Sequence, residues 1–414
     1  MGPRWGLAAA GLRMNLVKSW SLLALCLAVA TGSANAQQQQ APQGPPPFGA
    51  SEAAMPPGEA MKQVELMAQT LSQLQPQRPG VVDTYVLSAS FYNDPVFESE
   101  AKEAAAVLAR RYDAEGRTII LSAGRGTNVP RTYAAASPNN FQAALGKIGA
   151  TIDPGEDLVI VFTTSHGGQD GTVALVEANR MQGGLRPLNL RTSLAQAGIR
   201  NKVIIVSACF SGHFILPFSS DPGALVLTAA AADKTSFGCE PSREWTYFGD
   251  ALFNHALRGG DGLISSYNDA LTLISGWEKD LHVKWEALPA SQKKPGTEPL
   301  PSNPQSNIGD TVEPLVAKAE AYGIAVNCAA HLSFALDRAK TSRPIKGLTD
   351  WTALQTAQQA AQGRAVAEGA RRQRSTSDVA KAVAATAAGV LQLYNTQAAE
   401  VTARTTKCLP PEGN

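Results

Sequence analysis

The sequence predicts an α/β domain with a mostly parallel sheet covered on both faces, followed by a helical C-terminal region. Three observations carry this. The apolar runs Asp157–Thr164 (DLVIVFTT) and Lys202–Ser207 (KVIIVS) lack the alternation of a half-exposed strand, so they read as strands buried on both sides. Helical patterns separate these runs, which is the order a parallel sheet requires. After Trp245 the strand signals give way to Ala-rich helical periodicity.

The elements follow in order. Arg4, Arg13 and Lys18 precede the apolar run Ser21–Ala30, and Ala34-Asn35-Ala36 supplies small residues for signal-peptide cleavage after Ala36. Met14 opens a tighter leader and is an alternative start. The run falls short of the roughly twenty apolar residues that a membrane anchor needs, and no later segment reaches that length, so a stable membrane span is not expected. Cys26 lies inside the run after Leu25, a poor position for lipidation. A periplasmic or secreted location is expected. Residues 37–78 begin with a Gln-, Pro- and Gly-rich stretch and read as a low-complexity linker with a short helix near Glu59–Leu74.

Residues 79–310 carry the αβ alternation. Strands are expected at Val81–Ser88, Arg117–Ser122, Asp157–Thr164, Lys202–Ser207 and Ala224–Ala229, with helices at Val96–Tyr112, Asn140–Gly149 and Leu190–Gly198. Trp245–Arg258 and Leu263–Leu288 read as helices. Residues 311–414 form the helical region, with Val312–Lys340 and Trp351–Thr405 as the arms of a hairpin. Arg371-Arg372-Gln373-Arg374 reads as a solvated helix face or turn.

A net charge of +1, from 36 basic and 35 acidic side chains, gives no field to draw in nucleic acid or an anionic membrane. Cleavage after Ala36 leaves Cys209, Cys239, Cys328 and Cys408. That is too few for a disulfide scaffold, and no pair has zinc-ligand spacing. Cys328 and Cys408 share the helical region and are the pair to join in an oxidising compartment.

Reactive groups of open parallel sheets gather at the carboxyl ends of the strands. Two successive buried strands run into His166-Gly167-Gly168 and Cys209-Phe210-Ser211-Gly212. Alone, each residue has a structural reading; together they pair a thiol with a base. A neutral thiol attacks poorly, so His166 would take the Cys209 proton and later return one to the leaving amine. The N–H groups of Gly167 and Cys209 would hold the oxyanion. His213, four residues after Cys209, is the competing base. His255, His282 and His331 fall within helical segments and read as structural or exposed.

On these residues the sequence resembles the legumain-type cysteine peptidases of the caspase-like clan, in particular their bacterial, secreted branch. The resemblance runs from Val81 to Gly309. It rests on His-Gly and then Ala-Cys-x-Ser-Gly, each after a buried strand, on Thr228–Phe253, and on the late strand in Pro301–Asp310. It implies a caspase-like three-layer α/β/α sandwich, thioester chemistry at Cys209, protein or peptide substrates, and no metal or organic cofactor. The family's primary pocket is matched by Ser236 and Asp250. The acid two residues before the nucleophile is replaced by Ser207, and SASFYNDPVF lacks the family's Arg-His pair, so the preference for Asn does not carry over with the catalytic pair. Asn93 is nearest to a family asparagine, whereas Asp94 and Glu98 read as solvated surface, the alternative being that they enter the pocket and favour a basic residue. Cys239 matches a thiol beside the pocket wall. The helical region is expected to be a lid, a docking module or a stabilising appendage. A transpeptidase using the same pair, and a non-catalytic binding protein on this fold, are the alternatives to hydrolysis.

Overall fold

The computed structural model describes residues 51–53, 55–125, 129–177, 180–294, 296–341 and 344–410. The expected export signal and most of the low-complexity stretch lie outside them. The chain runs β1 (Ser51–Glu52), α1 (Pro57–Ser72), β2 (Thr84–Ser90), α2 (Pro95–Arg111), β3 (Thr118–Ser122), β4 (Ala134–Ala135), α3 (Pro138–Gly149) and β5 (Leu158–Thr164). It continues through β6 (Val173–Glu177), β7 (Met181–Leu185), α4 (Pro187–Gln196), β8 (Lys202–Ser207) and β9 (Ala224–Thr228). Then come α5 (Tyr247–Gly249), which passes into π and 3₁₀ turns as far as Arg258, α6 (Leu263–Glu286), β10 (Ser306–Ile308), α7 (Val312–Lys340), α8 (Trp351–Arg371), α9 (Thr376–Tyr394) and α10 (Ala398–Thr406). Helices α1 to α4 each open on proline, whose missing N–H and fixed φ cost nothing at the first helical position.

The main sheet has the order β10-β9-β8-β5-β2-β3-β4, parallel throughout except for antiparallel β10. The chain enters at β2, builds outward through β3 and β4, then returns to lay β5, β8 and β9 on the other side. The switch therefore falls between β2 and β5, where an open α/β sheet leaves a crevice at its carboxyl edge.

Strand β5 shows why the long strands carry no polar alternation. Val159 and Val161 face a core completed by Phe141, Ile148, Leu190 and Leu194 of α3 and α4. Leu158, Ile160 and Phe162 face a second core with Leu108 of α2, Phe248, Phe253, Leu263 and Val316. With helices on both faces, the molecule is a three-layer α/β/α sandwich. Helix α1 joins the first core through Met67, and Leu74 just beyond it does the same.

The hairpin β6–β7, paired with β1 in a small antiparallel sheet, is not foreseen in the sequence. Its Met-Gln-Gly-Gly-Leu strand has weak β propensity and depends on its partner.

The second arm expected at Trp351–Thr405 is three helices. The break after α8 is the expected turn, with Arg371 and Gln373 exposed, but Arg372 and Arg374 depart from the solvated reading. Arg372 is buried and donates to carbonyls of Val82 and Ala319, while Arg374 pairs with buried Asp113. Arg78 joins the same cluster through Asp83, Asp113 and the Arg372 carbonyl. The turn thus plugs the base of the main sheet.

A third core, of α7 to α10, is tied by a disulfide between Cys328 and Cys408 that lies against Gly260, ahead of α6. No described helix is long and apolar enough to cross a membrane.

Candidate active site

The parallel register of β5 and β8 pairs Thr164 with Ser207. The Ser165 N–H still donates to the Ser207 carbonyl at 3.1 Å, so the two chains run side by side past the last paired residues. Two residues on from that pair, His166 stands opposite Cys209 across neighbouring strand ends, which in a sheet lie about 4.8 Å apart. Gly167 packs against the Cys209 backbone so closely that a Cβ there would overlap the Cys209 carbonyl oxygen. Only glycine fits this crossing.

After Cys209 the chain turns at once. Phe210 takes a left-handed conformation, φ 57°, which costs a residue with a Cβ roughly 1 kcal/mol or more. Its N–H is tied to the Lys234 carbonyl at 2.7 Å. Ser211 then accepts a hydrogen bond from the Ala230 N–H at 3.1 Å. These bonds hold Cys209 at the head of the turn. The Gly168 N–H donates to the Thr172 carbonyl and the Ala174 N–H to the His166 carbonyl, the bonds that begin the β6 hairpin. That pattern leaves the Gly167 N–H outside the ladder. Among the described residues, neither it nor the Cys209 N–H has a backbone acceptor. Both remain free for an oxyanion.

The imidazole of His166 is held edge-on between Tyr92 and Phe97, with ring centroids at 4.6 and 5.0 Å. Its Nε2 lies 3.4 Å from Asp94 Oδ2. Asp94 occupies the N-cap position of α2, where an aspartate ordinarily accepts from its own helix, yet it makes no capping bond. The carboxylate faces His166 instead, which corrects its reading as solvated surface. Glu98 is also engaged, accepting from Ser122 Oγ at 2.6 Å. Asn93 stands in the same loop, half-buried.

The remaining residues singled out in the sequence divide. The Ser236 N–H donates to Cys209 Sγ at 3.3 Å, so this segment abuts the sulfur itself. Ser207 is buried beneath the site, 3.1 Å from Thr246 Oγ1 and 3.4 Å from Glu100 Oε2. Asp250 has other partners. It accepts from Asn254 Nδ2 at 2.9 Å, stands 3.5 Å from His255 and 3.8 Å from Arg243, and lines a polar cavity of about 560 Å³. A larger cavity, about 1340 Å³, lies between α7 and α8 near the disulfide, and Cys209 is not among its lining residues. Cys239 is a free thiol pushed up to about 12 by burial, and then by the neighbouring Cys209 and Glu100, so it remains protonated. His213 packs on Gly171, in the loop after His166. His331 is buried against Thr405 Oγ1 at 3.2 Å, and His255 lies 3.3 Å from Glu400.

Glu100 was not singled out in the sequence. It is fully buried, and burial pushes its carboxyl up to about 7 even though Thr164, Thr246 and Ser207 all donate to it. The signal that could have found it is a hydroxyl at the end of each central strand: Ser122, Ser90, Thr164 and Ser207 stand at one rank of four adjacent strands. Hydroxyls there ask for a buried acceptor. Among the described residues no group of His, Cys, Asp or Glu forms a metal site.

A thiol and an imidazole at adjacent strand ends, on a sheet of this topology, define a cysteine-peptidase type of site. Residues 91–272 match the model of the Peptidase C13 family, a match consistent with a legumain-type cysteine peptidase. Comparison with curated proteins returns no match. Among solved structures, caspase-1 from Spodoptera frugiperda is similar at 11% identity and a TM-score of 0.36, over 57% of this chain and 89% of that one. A likeness this loose carries no argument.

Proposed function

We propose that the protein is an exported thiol endopeptidase in which Cys209 attacks the scissile carbonyl and His166 is the general base. The observation that carries the proposal is the β5–β8 register, which sets His166 opposite Cys209 with Gly167 against the nucleophile's backbone. In the first step the Cys209 proton passes to His166, sulfur bonds to the carbonyl carbon, and the oxyanion is held by the N–H groups of Gly167 and Cys209. The imidazolium then protonates the leaving amine, giving a thioester. Water, deprotonated by His166, releases the acid and restores the thiol. Asp94 holds the ring and balances its positive charge. Export is supported by the leader ending at Ala36 and by the Cys328–Cys408 bridge, which suits an oxidising compartment.

The test is a diverse peptide library incubated with the mature protein and with Cys209→Ala, cut sites being mapped by mass spectrometry. Cleavage by the mature protein alone is expected, and the residues before the cuts define the pocket. Equal cleavage by Cys209→Ala would sink the mechanism.

A further inference from the structure

We propose that Glu100 is the positioning residue of the Cys209–His166 pair: one buried carboxylate on α2 that locks together the strand ends carrying the thiol and the imidazole. The inference rests on the reading of Cys209 and His166 as the reacting groups. Thr164 donates to Glu100 Oε2, Ser207 reaches the same oxygen at 3.4 Å, and Thr246 donates to Oε1 at 2.6 Å. Thr164 lies two residues before His166, and Ser207 lies two residues before Cys209. Because side chains alternate along a strand, each hydroxyl shares a face with the reactive residue that follows it. Phe162 and Ile205, two residues earlier, face the core to which α2 contributes. The carboxylate therefore sits one rank beneath the reacting pair, on the same side of the sheet.

Around Glu100 the inward face of α2 is apolar, with Val96, Ala101, Ala104 and Leu108, as far as buried Arg111 at the end of the helix. An apolar residue at 100 would pack there without the several kcal/mol that burying a carboxylate costs before hydrogen bonds offset it. Space has been cleared for the acid, since a Cβ on Gly249 would overlap Glu100 Oε1. The third hydroxyl extends the lock. Thr246 caps α5 by accepting from the Gly249 N–H at 3.0 Å, and Tyr247 N–H donates to the Phe237 carbonyl at 3.0 Å. That bond ties the clamp to the segment whose Ser236 N–H points at the Cys209 sulfur. Both strand ends and the loop beside the sulfur thus refer to one carboxylate. Glu100 is too deep to touch substrate, so its effect is on the geometry of others.

The test compares wild type, Cys209→Ala, Glu100→Ala and Glu100→Gln by three measurements: the rate of Cys209 carbamidomethylation by iodoacetamide, the kcat and KM for a library-derived peptide, and the melting curve. Glu100→Ala is expected to slow alkylation and to lower kcat about tenfold or more with KM nearly unchanged, because reacting groups displaced by about an ångström lose rate far more than binding. Glu100→Gln, which keeps an acceptor oxygen and can donate to one hydroxyl, is expected to restore most of both. Wild-type alkylation in a folded Glu100→Ala protein, or a Gln variant no better than Ala, would overturn the proposal. Should Glu100→Ala not fold, Ser207→Ala and Thr164→Val remove one clamp bond each; either is expected to slow alkylation, and wild-type rates in both would overturn it. Alkylation needs no substrate. A protein in which Cys209→Ala cleaves as well as wild type therefore refutes Cys209 as the nucleophile, while the alkylation rates separately decide the role of Glu100.

Discussion

At the scale of single residues, Asp94 has the clearest consequence. An aspartate at an N-cap that declines its own helix and faces His166 at 3.4 Å holds the ring in orientation. Asp94→Asn keeps the shape and removes the charge. It is expected to lower kcat by about ten- to a hundredfold with little change in KM, a fraction of what a general base contributes. An unchanged kcat across the pH profile would remove Asp94 from the mechanism. Cys209 and His166 were legible because each directly follows a buried apolar strand. Asp94 and Glu100 were not, because a carboxylate in a helical stretch looks solvated until the packing of that helix is known. Glu100 and Glu103 stand on one helix within a turn of each other, yet only Glu100 is fully buried.

At the scale of elements, the C-terminal helices are as much core as cover. Val312, Val316 and Ala319 at the start of α7 belong to the core beneath the main sheet. One residue further, Glu320 pairs with Arg111 of α2 at 2.9 Å, both side chains being buried. Breaking such a buried pair by removing one partner costs about 3–5 kcal/mol, besides the apolar surface exposed. A chain ended after Asp310 is expected to lose its cooperative thermal transition, which circular dichroism would detect; a melt within a few degrees of the full-length protein would contradict this packing. Loss of activity in that truncation would consequently not reveal a lid. The bounds of α7 could be read from helical periodicity. The division of residues 351–406 into three helices could not, because Ala-rich helix runs on either side of Arg372, and only burial of that side chain under the sheet marks the break.

At the scale of the whole molecule, buried Glu100 and His331 titrate in opposite senses, with buried Asp157, raised to about 6, acting in the same sense as Glu100. Burial raises Glu100 from 4.5 to about 7, so between those values the folded state keeps a proton that the unfolded chain has released, and stability falls as pH rises. Burial lowers His331 from 6.5 to about 4, so between those values the unfolded chain holds the extra proton, and stability rises with pH. Each effect is on the order of 3 kcal/mol. Across roughly pH 4.5 to 6.5 they oppose each other. Relative to wild type, Glu100→Gln is expected to turn the slope of the denaturation midpoint against pH upward in this window, and His331→Asn to turn it downward. Parallel slopes in both variants and wild type would show that these groups do not titrate as their burial demands.

The sequence by itself determined the alternation of buried strands and helices, the strand ends that carry His166 and Cys209, and the cysteines that pair in the helical region. Apolar periodicity and chain order are local properties, and they suffice for these. Only the tertiary structure decided which acids serve the site, because that depends on how α2 lies across the sheet. The turn at Arg372 seals the sheet's base for the same reason: burial, partner and distance come from chain segments far apart in sequence.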